Sequence, residues 1–268
     1  MSLIAHRSHA GLAARSALPG RIRLRVFLRS LLLQASWNPR GMQSLGMAHA
    51  LWPALAWLHP EGEARTEAVK RHVAFFNTHP YLSAAILGGV LRHEERIARG
   101  EEPVEELERF RQALMFPLAA VGDSFFWLSL RPLAGLVAAL SSPWTGLWAV
   151  AIFLGLYDLP HFALRVRLFV EGYRREGEVV EVLRRIGLLR WGARLRVAVA
   201  VLGGVAAAFV PIAFATGHHG AGNASFALLL GASIVAWAAA WWLLARRGSV
   251  AAGWIAVAVG IVLALVWA

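Results

Sequence analysis

The sequence contains no cysteine. This absence excludes a disulfide framework, a thiol nucleophile and any cysteine-ligated zinc or iron–sulfur site. Three short catalytic or nucleotide-binding motifs are absent too: there is no Gly-x-Ser-x-Gly elbow, no Walker A loop and no Gly-x-Gly-x-x-Gly fingerprint. We therefore expect no catalytic triad and no bound cofactor.

Histidine is the remaining candidate metal ligand, and the sequence contains ten of them. Zinc peptidases carry two histidines four residues apart on one helix, with a glutamate beside the first. His93 is followed by Glu94 and Glu95, but no second histidine stands four residues further on. His218 and His219 lie in a glycine-rich stretch, which favours a loop over a metal site. We expect no metal centre.

Charged residues are scarce, at 16% of 268 residues, whereas 58% of the chain is hydrophobic. Soluble domains carry about 25% charged and about 45–50% apolar residues, so this balance predicts a membrane protein. No acidic residue precedes Glu61 or follows Glu181, and the formal net charge is +11. Because the arginines lie beside apolar segments and not on one soluble basic face, we expect anionic lipids as partners and no nucleic acid.

Four regions differ in composition. Residues 1–30 form a basic arm without acids, in which no apolar core of signal-peptide length follows the charges. Residues 31–177 mix apolar runs with polar groups, and residues 178–196 are a basic segment. Residues 197–268 contain three uncharged stretches that can each span a bilayer, at about 197–216, 226–245 and 250–267.

The distribution of arginine predicts the orientation of these spans. Arginines precede the first span, and Arg246 and Arg247 follow the second. Positive charges that flank spans stay in the cytoplasm. We therefore expect residues 178–196 inside the cell, and residues 218–223 and the carboxyl terminus outside.

Residues 31–177 predict helices that do not cross the membrane in one piece. Pro39 and Pro53 divide residues 31–58 into pieces shorter than the roughly 20 residues that a spanning helix needs. Residues 113–157 are apolar but contain three interruptions: Asp123, Arg131-Pro132 and Ser141-Ser142-Pro143. Transporters commonly build substrate sites from such discontinuous helices. The predicted fold is an all-α integral membrane protein, with interfacial, re-entrant and broken helices in the amino-terminal half and about three clean transmembrane helices at the carboxyl terminus.

Polar groups inside apolar runs are candidate site residues, because an unpaired polar group away from water costs roughly 2–7 kcal/mol. The first such run contains Asn77, Thr78 and His79, followed by Pro80. An amide and an imidazole can together donate to and accept from sugar hydroxyls. Asn77 and His79 are therefore candidate substrate-binding residues. The alternative is that these groups cap a helix and satisfy backbone groups within the fold.

The second run places Asp123 after a glycine and shortly before Trp127. A carboxylate accepts hydrogen bonds from paired hydroxyls, and an aromatic ring stacks on the C–H face of a pyranose. Asp123 and Trp127 are therefore candidates to bind a monosaccharide. The alternative is a structural ion pair between Asp123 and Arg131 that joins two half-helices, and both roles are compatible.

Four further polar residues are candidates for the substrate site or for a partner interface, because of the sequence around them. Gln34, Asn38 and Gln43 offer neutral donors and acceptors inside an apolar region, and we expect them at an interface with a partner subunit or in the sugar site. Glu94 follows a short apolar segment, where it would line a polar vestibule and bind substrate or pair with a neighbouring arginine.

These segments resemble the IID component of the mannose/fructose/sorbose family of sugar phosphotransferase systems, a bacterial membrane transport protein. The resemblance runs from about residue 31 to residue 177. It rests on four stretches: RGMQSLG at 40–46, FFNTHPY at 75–81, PLAAVGDSFFWLSLRP at 117–132 and GYRREG at 172–177.

The resemblance implies a multi-pass subunit of the bacterial inner membrane that forms the translocation unit with a second integral subunit, IIC. It also implies a higher oligomer of the IIC–IID pair. The transported hexose, such as mannose, glucose, fructose or an amino sugar, would be phosphorylated on uptake by the cytoplasmic IIB component. This chain would then be a non-catalytic subunit that carries no phosphoryl group.

The sequence departs from the family pattern at Arg92-His93 and at Asp158. These departures leave open a non-transporting membrane sensor or scaffold descended from the family. A third interpretation is a membrane enzyme that uses His79, Glu94 or Asp123 as an acid–base group.

Overall fold

The computed structural model describes residues 18–60, 62–175 and 178–217, with side chains up to residue 204. Within these ranges every regular element is helical, apart from isolated β-bridges of Met42 with Asn38 and Phe76. In chain order the elements are α1 (Gly20–Ser30), α2 (Ser44–Leu58), α3 (Glu63–Val73), α4 (Ser83–Ala98), α5 (Val104–Gly122), a π-helical segment (Asp123–Leu130), α6 (Arg131–Thr145), α7 (Trp148–Arg175), α8 (Val179–Ile186) and α9 (Leu188–Gly217).

Helix α4 forms the centre of the fold. Its amino-terminal half is buried on every side, and it packs against α2, α5 and α7. The approach to α7 is close: a Cβ at Gly88 would collide with the carbonyl oxygen of Phe169, and one at Gly172 with that of Ala85. Small residues allow two helix backbones to approach in this way, so α4 and α7 pack as one unit.

Two helical units of the described chain are long and apolar enough to cross a membrane. The first runs without interruption over Val104–Thr145, through α5, the π segment and α6, and the second is α7. In the most apolar 18 residues of each unit, only 33% of the first and 17% of the second is buried within the chain. Large apolar side chains on α7, such as Trp148 and Leu159, are more than two-thirds exposed, so lipid or another protein must cover them.

The breaks that the sequence predicted in residues 113–157 are wrong at two of three positions. The helix continues through Asp123 and through Pro132. A proline inside a helix lacks an N–H donor and crowds the preceding turn. Here the π segment lies directly before it, and its wider turn accommodates the ring without a break. The chain does turn after Thr145, where Gly146 has a φ of 54°.

The shorter segments only partly follow the prediction for residues 31–58. Pro39 lies in the turn between α1 and α2, as a helix breaker should, but Pro53 lies inside α2 without ending it. Helix α2 has 15 residues, which corresponds to about 22 Å, less than the roughly 30 Å of a hydrocarbon core.

The ends of the described region differ from the predicted boundaries. Part of the basic arm is helix α1, which packs on α2 and buries Ile22, Val26 and Phe27. Helix α9 begins at Leu188, so Arg190, Arg194 and Arg196 of the basic segment 178–196 lie on one helix with the first predicted span, whereas Arg184 and Arg185 lie on α8. The other two predicted spans, the 218–223 loop and residues 1–17 lie outside the described residues.

A buried carboxylate connects three of the helices. Glu94, on α4, has no exposed side-chain surface, and its carboxylate lies 2.8 Å from His72 Nε2 and 3.4 Å from Arg71 Nη1, both at the end of α3. His59 Nε2, directly after α2, lies 3.7 Å from the other carboxylate oxygen, which is too far for a hydrogen bond. The cluster therefore holds the ends of α2 and α3 against α4.

The same cluster sets the ionisation of Glu94, which lies outside both candidate spans. Burial opposes ionisation, but His59, His72 and Arg71 outweigh it and lower the pKa of Glu94 from 4.5 to about 2. One pKa unit corresponds to about 1.4 kcal/mol. The ionised carboxylate thus contributes about 3 kcal/mol to the free energy of folding.

Replacing Glu94 by glutamine should leave Arg71 buried without its counter-charge. We expect the free energy of unfolding to fall by about 3 kcal/mol, measured by denaturant unfolding of the full chain in mild detergent. The matched control is Glu67→Gln, whose exposed partner Lys70 makes a surface ion pair worth less than about 1 kcal/mol. Equal effects of the two changes would contradict a structural role for the cluster.

The lowered pKa also predicts a pH dependence. Because the folded pKa of Glu94 lies below its unfolded value, the stabilisation is complete above about pH 4.5 and disappears as the pH falls toward 2. Other carboxylates titrate in the same window, so the measured quantity is the difference between wild type and Glu94→Gln. That difference should shrink steadily on acidification. A difference that is constant with pH would show that charge is not its cause.

Candidate functional site

The first sequence-predicted segment is a loop between α3 and α4 that Gln43 holds in place. The Gln43 side chain donates to the carbonyl of Thr78 at 2.7 Å and accepts from the N–H of Thr78 at 3.1 Å. Its own N–H donates to the carbonyl of Phe76 at 2.8 Å. Gln43 is 2% exposed. The expectation that Gln43 faces a partner subunit is therefore corrected: it is an internal clamp, because a loop buried in the fold needs partners for its backbone groups.

His79 connects this loop to the second segment. Its ring stacks on Phe126 of the π segment, with centroids 4.9 Å apart, and lies 5.2 Å from the Trp127 ring. Gly122 makes this contact possible, since a Cβ there would collide with the His79 ring. The two segments singled out in the sequence therefore meet in the fold.

The protonation of His79 follows from its surroundings. Burial, aided by the nearby charge of His161, lowers the pKa of His79 to about 4, so the imidazole is neutral at pH 7. Its Nδ1 accepts the N–H of Tyr81 at 3.3 Å, which places the proton on Nε2. Nε2 is buried and has no hydrogen-bond partner among the described residues. Nε2 is therefore a buried donor that the described part of the chain leaves unpaired.

Helix α7 contributes a second layer of rings. Tyr81 stacks on His161 with centroids 4.0 Å apart, and its hydroxyl lies 3.2 Å from that of Tyr157. Asp158, one of the departures from the family pattern, lies 3.4 Å from His161 Nδ1. The residues that form this cluster, called here the ring cluster, are His79, Tyr81, Phe126, Trp127, Tyr157 and His161.

Asp123 begins the π segment and is exposed. The predicted structural pair is not formed: among the described residues no ion pair joins Asp123 to Arg131. The two positions are eight residues apart along the helix, and the Arg131 guanidinium instead lies 5.5 Å from the centroid of the Trp127 ring, a cation–π distance. The carboxylate is therefore free for another partner.

Asn77 is half-buried beside the ring cluster. Its backbone N–H lies 3.2 Å from Met115 Sδ, while its side-chain amide makes no hydrogen bond within the described part of the chain. Asn77 therefore keeps both donor and acceptor capacity, as a role in binding requires.

Three other predicted residues lie elsewhere. Glu94 is enclosed in the buried ion cluster and does not line a vestibule, which corrects its assignment to substrate binding: a carboxylate with no exposure, in contact with Arg71, His72 and His59, cannot also meet a ligand. Asn38 shapes a turn by accepting the N–H groups of Arg40 and Gly41. Gln34 is exposed, and its place at a partner interface stays a prediction.

Sequence reasoning missed Arg196, which it placed in the basic cytoplasmic segment. Arg196 Nη1 donates to Ser124 Oγ and Ser129 Oγ, each at 3.2 Å, and Ser129 Oγ donates to the Ser124 carbonyl at 2.7 Å. Helix α9 is thereby joined to the π segment. One sequence feature could have indicated this site: the two serines are five residues apart, which is the spacing of a π-helical hydrogen bond.

A cluster of polar and aromatic rings packed beside helices long enough to cross a membrane is the kind of site that helical membrane transport proteins carry. The sequence matches the family described as the PTS system mannose/fructose/sorbose family IID component over residues 18–267. The chain therefore belongs to this family, and the match extends beyond residues 31–177, where the sequence resemblance was expected to end.

Curated relatives share part of this length. The chain is 39% identical to the mannose-specific EIID component of Escherichia coli K12 over 158 residues, which cover 58% of this chain and 56% of that protein. It is 38% identical to the fructose permease IID component of Bacillus subtilis, covering 43% of each protein. It is 30% identical to the sorbose-specific EIID component of Klebsiella pneumoniae, covering 58% of this chain and 57% of that one. The chain thus spans about half the length of the curated relatives it matches.

Two solved structures resemble the fold. One, described as a membrane protein, has a TM-score of 0.65 at 33% identity and covers 72% of this chain and 71% of its own. The other is the mannose transporter ManYZ in complex with microcin E492, with a TM-score of 0.58 at 27% identity, covering 92% of this chain and 96% of the compared chain.

The clamp formed by Gln43 gives a prediction that separates an internal role from an interface role. Gln43→Ala leaves the N–H and carbonyl of Thr78 buried without partners, at a cost of roughly 1–3 kcal/mol for each group. We expect the isolated chain to lose roughly 2–4 kcal/mol in denaturant unfolding. The exposed Gln34→Ala should change this value by less than about 0.5 kcal/mol. If Gln43 served a partner interface instead, Gln43→Ala would leave the isolated chain as stable as wild type.

Proposed function

We propose that this chain is the IID subunit that forms, with a IIC subunit, the translocation unit for a hexose. The sugar is phosphorylated during uptake by the IIB component, and this chain takes no part in phosphoryl transfer. Membership of the IID family and the similarity to a chain of the mannose transporter ManYZ support this proposal. So does the large apolar surface of the membrane-length helices, which a second membrane subunit would cover.

One observation supports a sugar-binding role most directly: where the two signature segments meet, at the contact of the His79 ring with Phe126 and Trp127, the buried His79 Nε2 has no partner among the described residues. Asn77 lies two residues before His79 in the chain and Asp123 three residues before Phe126, and their side chains make no hydrogen bond or ion pair within the described part of the chain. A buried donor without a partner costs about 1–3 kcal/mol. A sequence that retains such a donor implies a ligand that pairs with it.

These groups match the chemistry of a hexose. Asp123 would accept hydrogen bonds from two adjacent hydroxyls, Asn77 would both donate and accept, and His79 Nε2–H would donate to a hydroxyl oxygen. Trp127 would cover the C–H face of the ring. Because Asp123 and Trp127 retain exposed surface, the opposite wall of the pocket would come from the partner subunit.

The departures from the family pattern do not favour the sensor interpretation. Arg92 pairs with Glu95 at 3.0 Å, and His93 pairs with Glu102. Both residues thus have structural partners on or beside α4. Asp158 has His161 as its neighbour in the ring cluster. None of the three needs a signalling role to explain it.

Asp123→Asn tests the pocket. Asparagine keeps the size of the side chain but accepts fewer hydrogen bonds, and charge-assisted hydrogen bonds contribute about 1.5–3 kcal/mol. We expect the apparent KM for hexose uptake to rise roughly tenfold. Uptake is measured in cells that express the full set of components, with the amount of folded protein in the membrane unchanged.

The matched control is Glu105→Gln, an exposed acid at the start of the same helical unit, which should leave uptake as in wild type. If Asp123→Asn lowers only the amount of folded protein, the carboxylate is structural and the pocket assignment fails. If deletion of this chain leaves uptake intact, the transport role itself is wrong and the sensor interpretation replaces it.

A further inference from the structure

An open groove lies between α5 and the corner where α8 joins α9. It encloses about 510 Å³. One wall is the apolar surface of α5, and the other is the apolar face of α8 with the first residues of α9. Its lining includes Ala113, Pro117, Val121, Val180, Leu183 and Leu189. Several of these side chains are exposed, so the groove is open along its length.

Positive charge occupies one part of this groove. Arg184 and Arg190 are its lining residues with charge. The corner between them is Gly187, whose φ of 71° is a left-handed conformation, and the Arg190 guanidinium lies directly over it, 3.3 Å from where a Cβ would stand. The same corner begins α9, whose first N–H groups have no acceptor within the helix.

The acidic residue nearest to these arginines in the sequence is already paired. Glu181 Oε2 lies 2.6 Å from Arg184 Nε and Glu181 Oε1 lies 2.9 Å from Arg185 Nε. No carboxylate lies within ion-pair distance of Arg190 in the part of the chain that the structure describes. The corner therefore carries net positive charge.

The sequence of α5 places this corner at the boundary between water and hydrocarbon. Residues 104–112 of α5 are mostly charged or polar, whereas residues 113–121 contain no charged residue. The groove begins at Ala113, where the apolar part begins. Helix α8 packs Val179, Val182 and Leu183 into the core of the chain and leaves its arginines exposed, so its basic side faces outward beside this boundary. Trp191 and Arg194, next along α9, form a cation–π pair at 5.2 Å, typical of the same zone.

We propose that this groove binds an anionic phospholipid, with the headgroup phosphate at Arg184 and Arg190 and an acyl chain along α5 from Ala113 to Val121. An amphiphile matches the groove because its lining is apolar except for these two arginines. The charge selects an anionic headgroup over a zwitterionic one.

Such a lipid would fill the space between α5 and the corner where α8 joins α9, and would hold the two in contact. Through Arg196, α9 also contacts the π segment, so the bound lipid would stabilise the helix that supports the ring cluster. This inference depends on the chain lying in a membrane and not on sugar binding.

Native mass spectrometry tests the site. The full chain is purified in mild detergent and equilibrated with dioleoylphosphatidylglycerol or with dioleoylphosphatidylcholine, which has the same chains and no net charge. We expect wild type to retain phosphatidylglycerol preferentially. Arg184→Gln with Arg190→Gln should reduce that retention roughly tenfold. Both residues are exposed, so the double variant should unfold at the temperature of wild type.

Two controls separate this site from general basicity. Arg174→Gln with Arg175→Gln removes the same charge from the exposed end of α7 and should leave lipid retention unchanged. Val180→Trp fills the groove and should reduce retention of both lipids. An excess of inorganic phosphate should not displace phosphatidylglycerol, because the acyl chain contributes much of the binding.

Four results would overturn the proposal: equal retention of the two lipids by wild type, unchanged retention by the double arginine variant, complete displacement by phosphate, or no retained lipid at all. Displacement by phosphate would mean a site for free anions. Absence of lipid would mean that the groove is not a lipid site. Each result is independent of whether Asp123 binds sugar, because none of them measures uptake.

Discussion

A carboxylate without access to water must be surrounded by positive or hydrogen-bonding groups, and this constraint at Glu94 organises the amino-terminal half of the chain. Its partners His72 and Arg71 fix the end of α3 against α4, and His59 adds the end of α2. The loop between α3 and α4 is thereby anchored at both ends. Gln43 then holds the middle of the loop through Thr78, so that His79 is presented to the π segment in one position.

The π segment forms the other side of the contact with His79. Its wide turns are less stable than α-helical ones and occur frequently at functional sites. In this chain the segment is supported by Arg196 through Ser124 and Ser129. It carries Phe126 and Trp127 to His79, while Asp123 faces outward. The loop that carries His79 and the irregular helical segment therefore meet, and the buried His79 Nε2 at their contact has no partner among the described residues.

Much of this could be predicted from the sequence, because the polar groups inside apolar runs had to find partners. These groups indicate a helical membrane protein, and they mark the two segments that meet at His79. Which groups pair with each other is not written in the local sequence. Glu94 was expected to line a vestibule or to pair with a neighbouring arginine, and Asp123 to bind sugar or to pair with Arg131. In the structure Glu94 is buried in an ion cluster, whereas Asp123 is exposed. The distinction depends on tertiary contacts from α2 and α3 that no local pattern records. The π segment was missed for a similar reason: Pro132 normally ends or kinks a helix, and the sequence around it does not indicate a widened turn.

The most direct test of the account is whether sugar occupies the junction of the two segments. The absence of cysteine allows a single Ala120→Cys substitution, at an exposed position three residues before Asp123 and on the same helix face. In membranes that contain the full transport system and take up hexose, a water-soluble maleimide should label this cysteine, and saturating sugar should slow the labelling. Leu147→Cys, at a position that is 90% exposed beyond α6, should be labelled at a rate that sugar does not change. Equal labelling of Ala120→Cys with and without sugar, in membranes that still transport it, would contradict the proposed site.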